Sequence, residues 1–289
     1  MKETTSPTEW PELTLPHGLL TDARISANLL VRSAAFSTLD YAGGAIRPEI
    51  KEPLPLVAIA PYQLEQTAGV RLSQSDADLF YWLLSRAYRH GTPKEGNVWV
   101  YFKRSEALAA LGRARGGKTD ALLDDSLMRL YQADFAYNVP GTIGRSRLVS
   151  CIERFKDEDK NYDYRVSISD GVAALLDGGE WLVLLGKERE QLANDPLAKG
   201  LHAFYTSHRS AFPMLPSTLK ALMGRDSMQD SKWRHALDKA LEHVQKVTGW
   251  LQCEVVKEGP YAGKVVVHKG YKPRKRTKKT AIENPKGEL

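Results

Sequence analysis

The stretch from Pro196 to His268 constrains this chain most, because its apolar residues change period at defined breaks. Leu197, Leu201, Phe204 and Tyr205 follow Pro196 at helical spacing, and a proline fits the first turn of a helix. Phe212-Pro213 interrupts that run, and Ser217–Met223 reads as a short helix stopped by Gly224. Ser231 then serves as the expected N-cap of a longer helix. Trp233, Ala236, Leu237, Ala240, Leu241, Val244 and Val247 form one stripe along it, and Gly249 ends it. Trp250–Val256 and Lys264–His268 are β-rich, joined by the loop Lys257–Gly263 with its Gly-Pro pair. Three helices and a hairpin in that order describe a winged helix, which places its third helix in the major groove of DNA.

The side of that third helix away from the stripe carries Lys232, Arg234, His235, Asp238, Lys239, Glu242, His243 and Lys246. Positive charge gathers in the first two turns, just after Gln229 and Ser231, where a recognition helix meets base edges. Lys257 and Lys264 belong to the wing. A solvated helix with i, i+4 charge pairs would look similar in isolation. Within the winged-helix pattern, DNA contact is the better reading.

The first half repeats the plan. Val57–Leu72 reads as one or two strands around Pro61, and Ser73 with Asp76 starts a helix running to about Arg89. Val98–Phe102 reads as a strand, Ser105 as the cap of Glu106–Leu111, Gly112 as its stop, and Lys118–Tyr131 as the third helix. Strands near Phe135–Val139 and Arg147–Phe155 should flank a wing at Pro140–Gly144, with Tyr164–Ile168 extending the sheet. This third helix carries Asp120, Asp124 and Asp125 against Lys118 and Arg129. Its neighbourhood offers Arg113, Arg115 and Lys118 before the helix and Arg145 and Arg147 in the wing, which suits phosphate contact better than base readout.

The fold class expected is therefore α+β: two tandem winged-helix domains with flexible terminal segments. The expected boundaries are a partly disordered extension at 1–50, domains at 51–177 and 178–270, and a basic disordered tail at 271–289. The segment Lys269–Lys279 holds seven Lys/Arg and no acid. A length of 289 residues suits two domains, and a net charge of +6 with a pI near 9.1 suits a polyanionic partner. Cys151 and Cys253 show no metal-site spacing, and no apolar run has the roughly 18 residues of a membrane span. The expectation is a cytoplasmic, metal-free and cofactor-free protein.

Gly112–Thr119 spells the P-loop pattern letter for letter. A P-loop follows a buried hydrophobic strand, whereas Ser105–Leu111 is helix-like. The turn is read as the connection between two helices, with an ATP-dependent enzyme as the distant alternative. The seven histidines form no HExxH and no His-x-His pair, and no Gly-x-Ser-x-Gly elbow occurs. The chain is expected not to be an enzyme.

Four collinear segments carry a resemblance. Arg32-Ser33-Ala34-Ala35-Phe36-Ser37-Thr38 resembles a segment of the TrfA-type plasmid replication initiators. Phe204–Arg209, Leu222–Ser227 and Lys232-Trp233-Arg234 are similar to further segments of that family, in the same order. The resemblance spans most of residues 30–268. It implies two winged-helix domains that bind repeated iterons at a plasmid origin and help open adjacent A·T-rich DNA. It also implies a monomer–dimer equilibrium and recruitment of the host initiator, replicative helicase and sliding clamp. The N-terminal extension is shorter than in long members. Glu12-Leu13-Thr14-Leu15-Pro16 stands where some members carry a clamp-binding peptide, without that peptide's Gln and Phe anchors. A winged-helix transcriptional repressor is the alternative function.

Overall fold

In the computed structural model, Trp10 and residues 22–41, 45–89, 98–155 and 161–271 are described. The Glu12–Pro16 peptide and the basic segment beyond Tyr271 lie outside them. The described apolar residues form two cores, one drawn from residues between Trp10 and Leu184 together with Ala203, the other from Leu192 to Val267.

The first core is built on α2 (Gln74–Arg89), whose Leu79, Phe80, Leu83 and Leu84 have no exposed surface. Asp76 starts this helix by accepting from the Ser73 N–H at 2.9 Å, the carboxylate half of the expected cap. β6 (Val98–Phe102), α3 (Arg104–Ala110) and α4 (Gly117–Gln132) follow, and Leu123, Leu127 and Leu130 seat α4 on α2. Gly112 ends the α3 region at φ +66°, a left-handed conformation that favours glycine. α3 begins one residue before Ser105. Lys103 is the N-cap, and its N–H donates to the Glu106 carboxylate at 3.0 Å, so Ser105 is not the cap expected.

After α4 the chain departs from the expected single wing. β7 (Asp134–Val139) and β8 (Thr142–Arg147) close a tight hairpin through Pro140-Gly141, with Gly141 at φ +83°. That hairpin joins β3 (Leu54–Leu56) and β4 (Gln63–Ala68) in a sheet of order β3-β4-β7-β8. β9 (Val149–Arg154) and β10 (Tyr164–Ile168) form the second hairpin, which pairs with β6 in the order β6-β10-β9. The expected strand Arg147–Phe155 is thus two strands in two sheets. The chain changes sheet at Leu148 and Val149, which are both buried, so the burial signal ran on unbroken where the pairing did not.

The second core repeats the same order. α7 (Pro196–Thr206) has Pro196 at its first turn and an Asp195 carboxylate accepting from the Ala198 N–H at 2.9 Å. α8 (Pro216–Leu222), α9 (Asp230–Thr248), β12 (Trp250–Val255) and β13 (Val265–Tyr271) complete it. Met214, ahead of α8, exchanges both backbone bonds with Val265 at 3.0 and 2.8 Å. The strand order is therefore Met214-β13-β12, matching β6-β10-β9 position for position. Gln229 is the N-cap of α9, not Ser231, and Gly249 ends the helix at φ +70°.

Two expected boundaries move. β1 (Ala23–Ala27) pairs antiparallel with β11 (Trp181–Leu185), and α1 (Asn28–Val31) with β2 (Phe36–Ser37), which pairs in parallel with β5 (Leu72–Ser73), follows it into the first core. Ile25, Leu29 and Phe36 are buried there. Residues 23–38 are therefore core of the first unit rather than extension. α5 (Gly171–Leu176), Leu182 and Leu184 also pack there, so the cores part across α6 (Gly186–Gln191), between Leu184 and Leu192, and not at 177/178. Short connecting strands with few side chains did not reveal their long-range partners by periodicity.

Candidate nucleic-acid interface

α9 is held by its apolar face and by both ends. Trp233 is buried, and its indole N–H donates to the Pro216 carbonyl at 2.9 Å, fixing α8 across the start of α9. Lys220 of α8 meets the Asp230 carboxylate at 2.7 Å. That hydrogen bond and charge hold the Asp230 carboxyl below its ordinary value. Gln229, Ser231, Lys232, Arg234, His235 and Lys239 are all exposed on the helix so anchored. Among the described residues, no ion pair ties Lys232, Arg234 or Lys239. Arg234 and Lys257 both line a groove of about 800 Å³ between α9 and the loop end of the β12–β13 hairpin. Lys264 is half-buried, and its N–H donates to the Tyr261 carbonyl within that connection. The face is not uniformly cationic, because Asp238, Glu242 and Glu254 border the same groove. Positive charge is concentrated toward the start of α9.

The basic set of the first unit is split. Arg115 is exposed at the turn before α4 and Lys118 in the first turn of that helix, while Arg113 is half-buried in the same turn as Arg115, lining a crevice with Arg24, Arg189 and Lys199. Arg145 and Arg147 lie on β8, where Arg147 is paired with Asp134 just beyond the other end of α4. A helix of 16 residues separates the two groups by roughly 24 Å. Arg145 pairs with Asp134 at 3.1 Å, and the Arg147 guanidinium stands 5.1 Å over the Tyr131 ring. Both lie outside the β9–β10 hairpin.

The outer face of α4 also differs from expectation. Asp120 and Asp124 approach Arg104 at 3.3 and 3.6 Å, and Arg154 reaches Asp124 at 3.4 Å. Arg129 turns inward to Asp76 at 2.8 Å, sharing that buried carboxylate with Arg47 at 3.1 Å. Burial, with a hydrogen bond to Asp124, pushes the Tyr164 hydroxyl up to about 12. The stripe left exposed is Lys118, Ala121, Leu122, Asp125 and Met128, poor in groups that read bases. Arg154 is exposed on β9, in the hairpin that follows the one expected to form the wing, and was not among the expected basic set. Lys220 was missed because nothing in a sequence marks a lysine that anchors a neighbouring helix.

The P-loop spelling has no P-loop geometry. α3 directly precedes Gly112, where a phosphate-binding loop requires a strand. The Thr119 hydroxyl lies within 2.8 Å of the Ala114 and Gly116 carbonyls, capping its own turn. Among the described residues there is no cluster of three or more His, Cys, Asp or Glu able to hold a metal, and no helix long and apolar enough to cross a membrane.

The mixed α+β fold is shared with domains 2 and 3 of RctB. One crystal structure of those domains superposes with a TM-score of 0.52 at 16% identity, covering 78% of this chain and 91% of that one. Another gives 0.50 at 15%, covering 83% and 95%. Identity this low speaks for the fold alone. The family follows from sequence: residues 60–258 match the model of the TrfA protein, and the chain belongs to that family. The plasmid replication initiator protein TrfA of Escherichia coli is 24% identical over 180 residues. The match takes in 61% of this chain and 46% of that protein, so the chain matches about half of its relative's length.

Proposed function

We propose that this chain is a plasmid replication initiator. Both units act as winged helices. The second reads repeated origin sequences (iterons) through α9, and the first supplies phosphate contacts and self-association. Binding promotes opening of adjacent A·T-rich DNA and brings in host replication proteins, in the cytoplasm and without catalysis by the chain itself. The observation that carries this reading is α9: one face is locked into a core, Gln229, Ser231, Lys232, Arg234 and His235 stand exposed at its start, and Lys239 stands exposed at its middle. Family membership and the relative that bears the initiator's name support it. The matching order of helices and strands in the two units supports the tandem winged-helix description. Exposed Leu122 and Met128 on α4 favour a protein contact for the first unit.

Footprinting on the replicon that encodes the chain tests the proposal. Protection of tandem direct repeats beside an A·T-rich tract is the expected result. Protection of a single palindrome favours a repressor, and absence of any preferred sequence overturns both.

A further inference from the structure

Residues from three separate stretches of the chain meet at the junction of the two units. Thr38, which follows β2, has no exposed surface and is inserted between α7 and the turn after α8. Its hydroxyl donates to the Met223 carbonyl at 2.8 Å and accepts from Arg225 Nε at 2.8 Å. Its N–H donates to the same carbonyl at 3.1 Å, and Arg225 Nη2 reaches its carbonyl. A Cβ at Gly200 of α7 would stand 2.5 Å from Thr38 Cγ2, so the insertion is close-packed on that side. Arg32 makes a second tie. It donates to the Ser207 hydroxyl at 3.0 Å and to the Ser207 carbonyl, at the C-terminal end of α7 where carbonyls lack helical partners. Asp78 of α2 makes a third, receiving Arg189 and Lys199 at 2.7 Å each.

Bonds of this kind, in buried surroundings, favour one arrangement over a range of hinge angles. Two linked DNA-binding modules gain roughly 10²–10⁴ in affinity only when their geometry permits both to engage. From these observations we infer that Thr38 and Arg225 are positioning residues for DNA binding. They hold the two units at one separation and rotation, so that a single duplex is read at fixed spacing and helical phase. The inference rests on the reading that both units touch DNA.

The test uses the full chain carrying Thr38→Val, which keeps the shape and removes both hydroxyl bonds, and Thr38→Ser, which keeps the hydroxyl. Spin labels at Met128→Cys and Glu242→Cys, with Cys151→Ser and Cys253→Ala, report the distance between units without DNA. The DNA probe is the duplex that the wild type selects from a random pool, with and without a five-base-pair insertion between its two protected segments. Five pairs turn one segment about half a helical repeat away. The wild type and Thr38→Ser should give one narrow distance and lose about a hundredfold on insertion. Thr38→Val should broaden the distance, bind the uninterrupted duplex about tenfold more weakly and lose less than tenfold on insertion. Arg225→Lys, which keeps charge but not the paired geometry, gives the same readout if Thr38→Val does not fold. Wild-type distance and insertion sensitivity in the folded variant would overturn the inference. A wild type that protects one continuous segment overturns the two-unit DNA reading, and the positioning role with it. An unchanged narrow distance in the variant sinks the latch by itself.

Discussion

Arg234 offers the sharpest test of the interface. It is exposed on α9, four residues from Asp230 and from Asp238, so an internal ion pair could have consumed it. Asp230 is instead taken by Lys220 at 2.7 Å, and no ion pair of Arg234 occurs among the described residues. Arg234→Ala therefore breaks nothing in the fold, and its effect on stability should stay within about 0.5 kcal/mol, the usual range for surface sites. A bidentate contact with a guanine contributes about 1–3 kcal/mol of discrimination. That corresponds to a roughly 5- to 150-fold loss on the specific duplex. Random duplex should lose much less, and the salt slope on random DNA should hold. Titrations by fluorescence anisotropy at fixed salt, repeated across salt concentrations and paired with a thermal melt, separate these outcomes. Equal losses on specific and random DNA, with a salt slope lower by about one, would place Arg234 on a phosphate and refute its role in readout.

Three further outcomes are expected. Lys118→Ala should lower the salt slope of DNA binding by about one unit, and neither it nor the wild type should bind ATP saturably; ATP binding lost in the variant would revive an enzymatic reading. Burial holds His202 and His208 below the ordinary histidine value, so the fold prefers them neutral. Their contribution is complete above the unfolded value of about 6.5 and is lost as pH falls below it through the lower folded values. Urea midpoints should drop on acidification from pH 7 to 5, with a shallower drop in His202→Gln; a rising midpoint contradicts the sign. Finally, a fragment of residues 51–177 lacks β1 and β11 and should not melt cooperatively, whereas 22–185 and 186–271 should. Cooperative melting of the shorter fragment, followed by circular dichroism, would show that residues 23–38 are dispensable to the core.

Local regularities were legible in the sequence. Pro196 at a helix start, Gly112, Gly224 and Gly249 in left-handed turns, and the stripes of α4 and α9 each depend on residues within a few positions of one another. The exposed cations at the start of α9 follow from the same periodicity. The rejection of the P-loop spelling did too, since the helical character of Ser105–Leu111 was visible beforehand.

What lay beyond that range depended on partners distant along the chain. Periodicity marks Tyr164–Ile168 as a strand but cannot say that β9 leaves the β7–β8 sheet to join it. It leaves Ile25 and Leu29 in an expected extension, because it cannot say that β11, more than 150 residues later, pairs with β1. Charges are harder still, because a count of residues does not say which of them neutralise one another. Arg129 went to a buried aspartate, Asp120 and Asp124 went to Arg104, and Arg145 and Arg147 went to the far end of α4. By itself the sequence determined the two repeated helical units and the free cationic start of α9, because short-range spacing decides which side of a helix is apolar. Only the tertiary structure decided how strands pair, which charges remain free and how the two units are joined, because those depend on contacts the chain makes after it has folded back on itself.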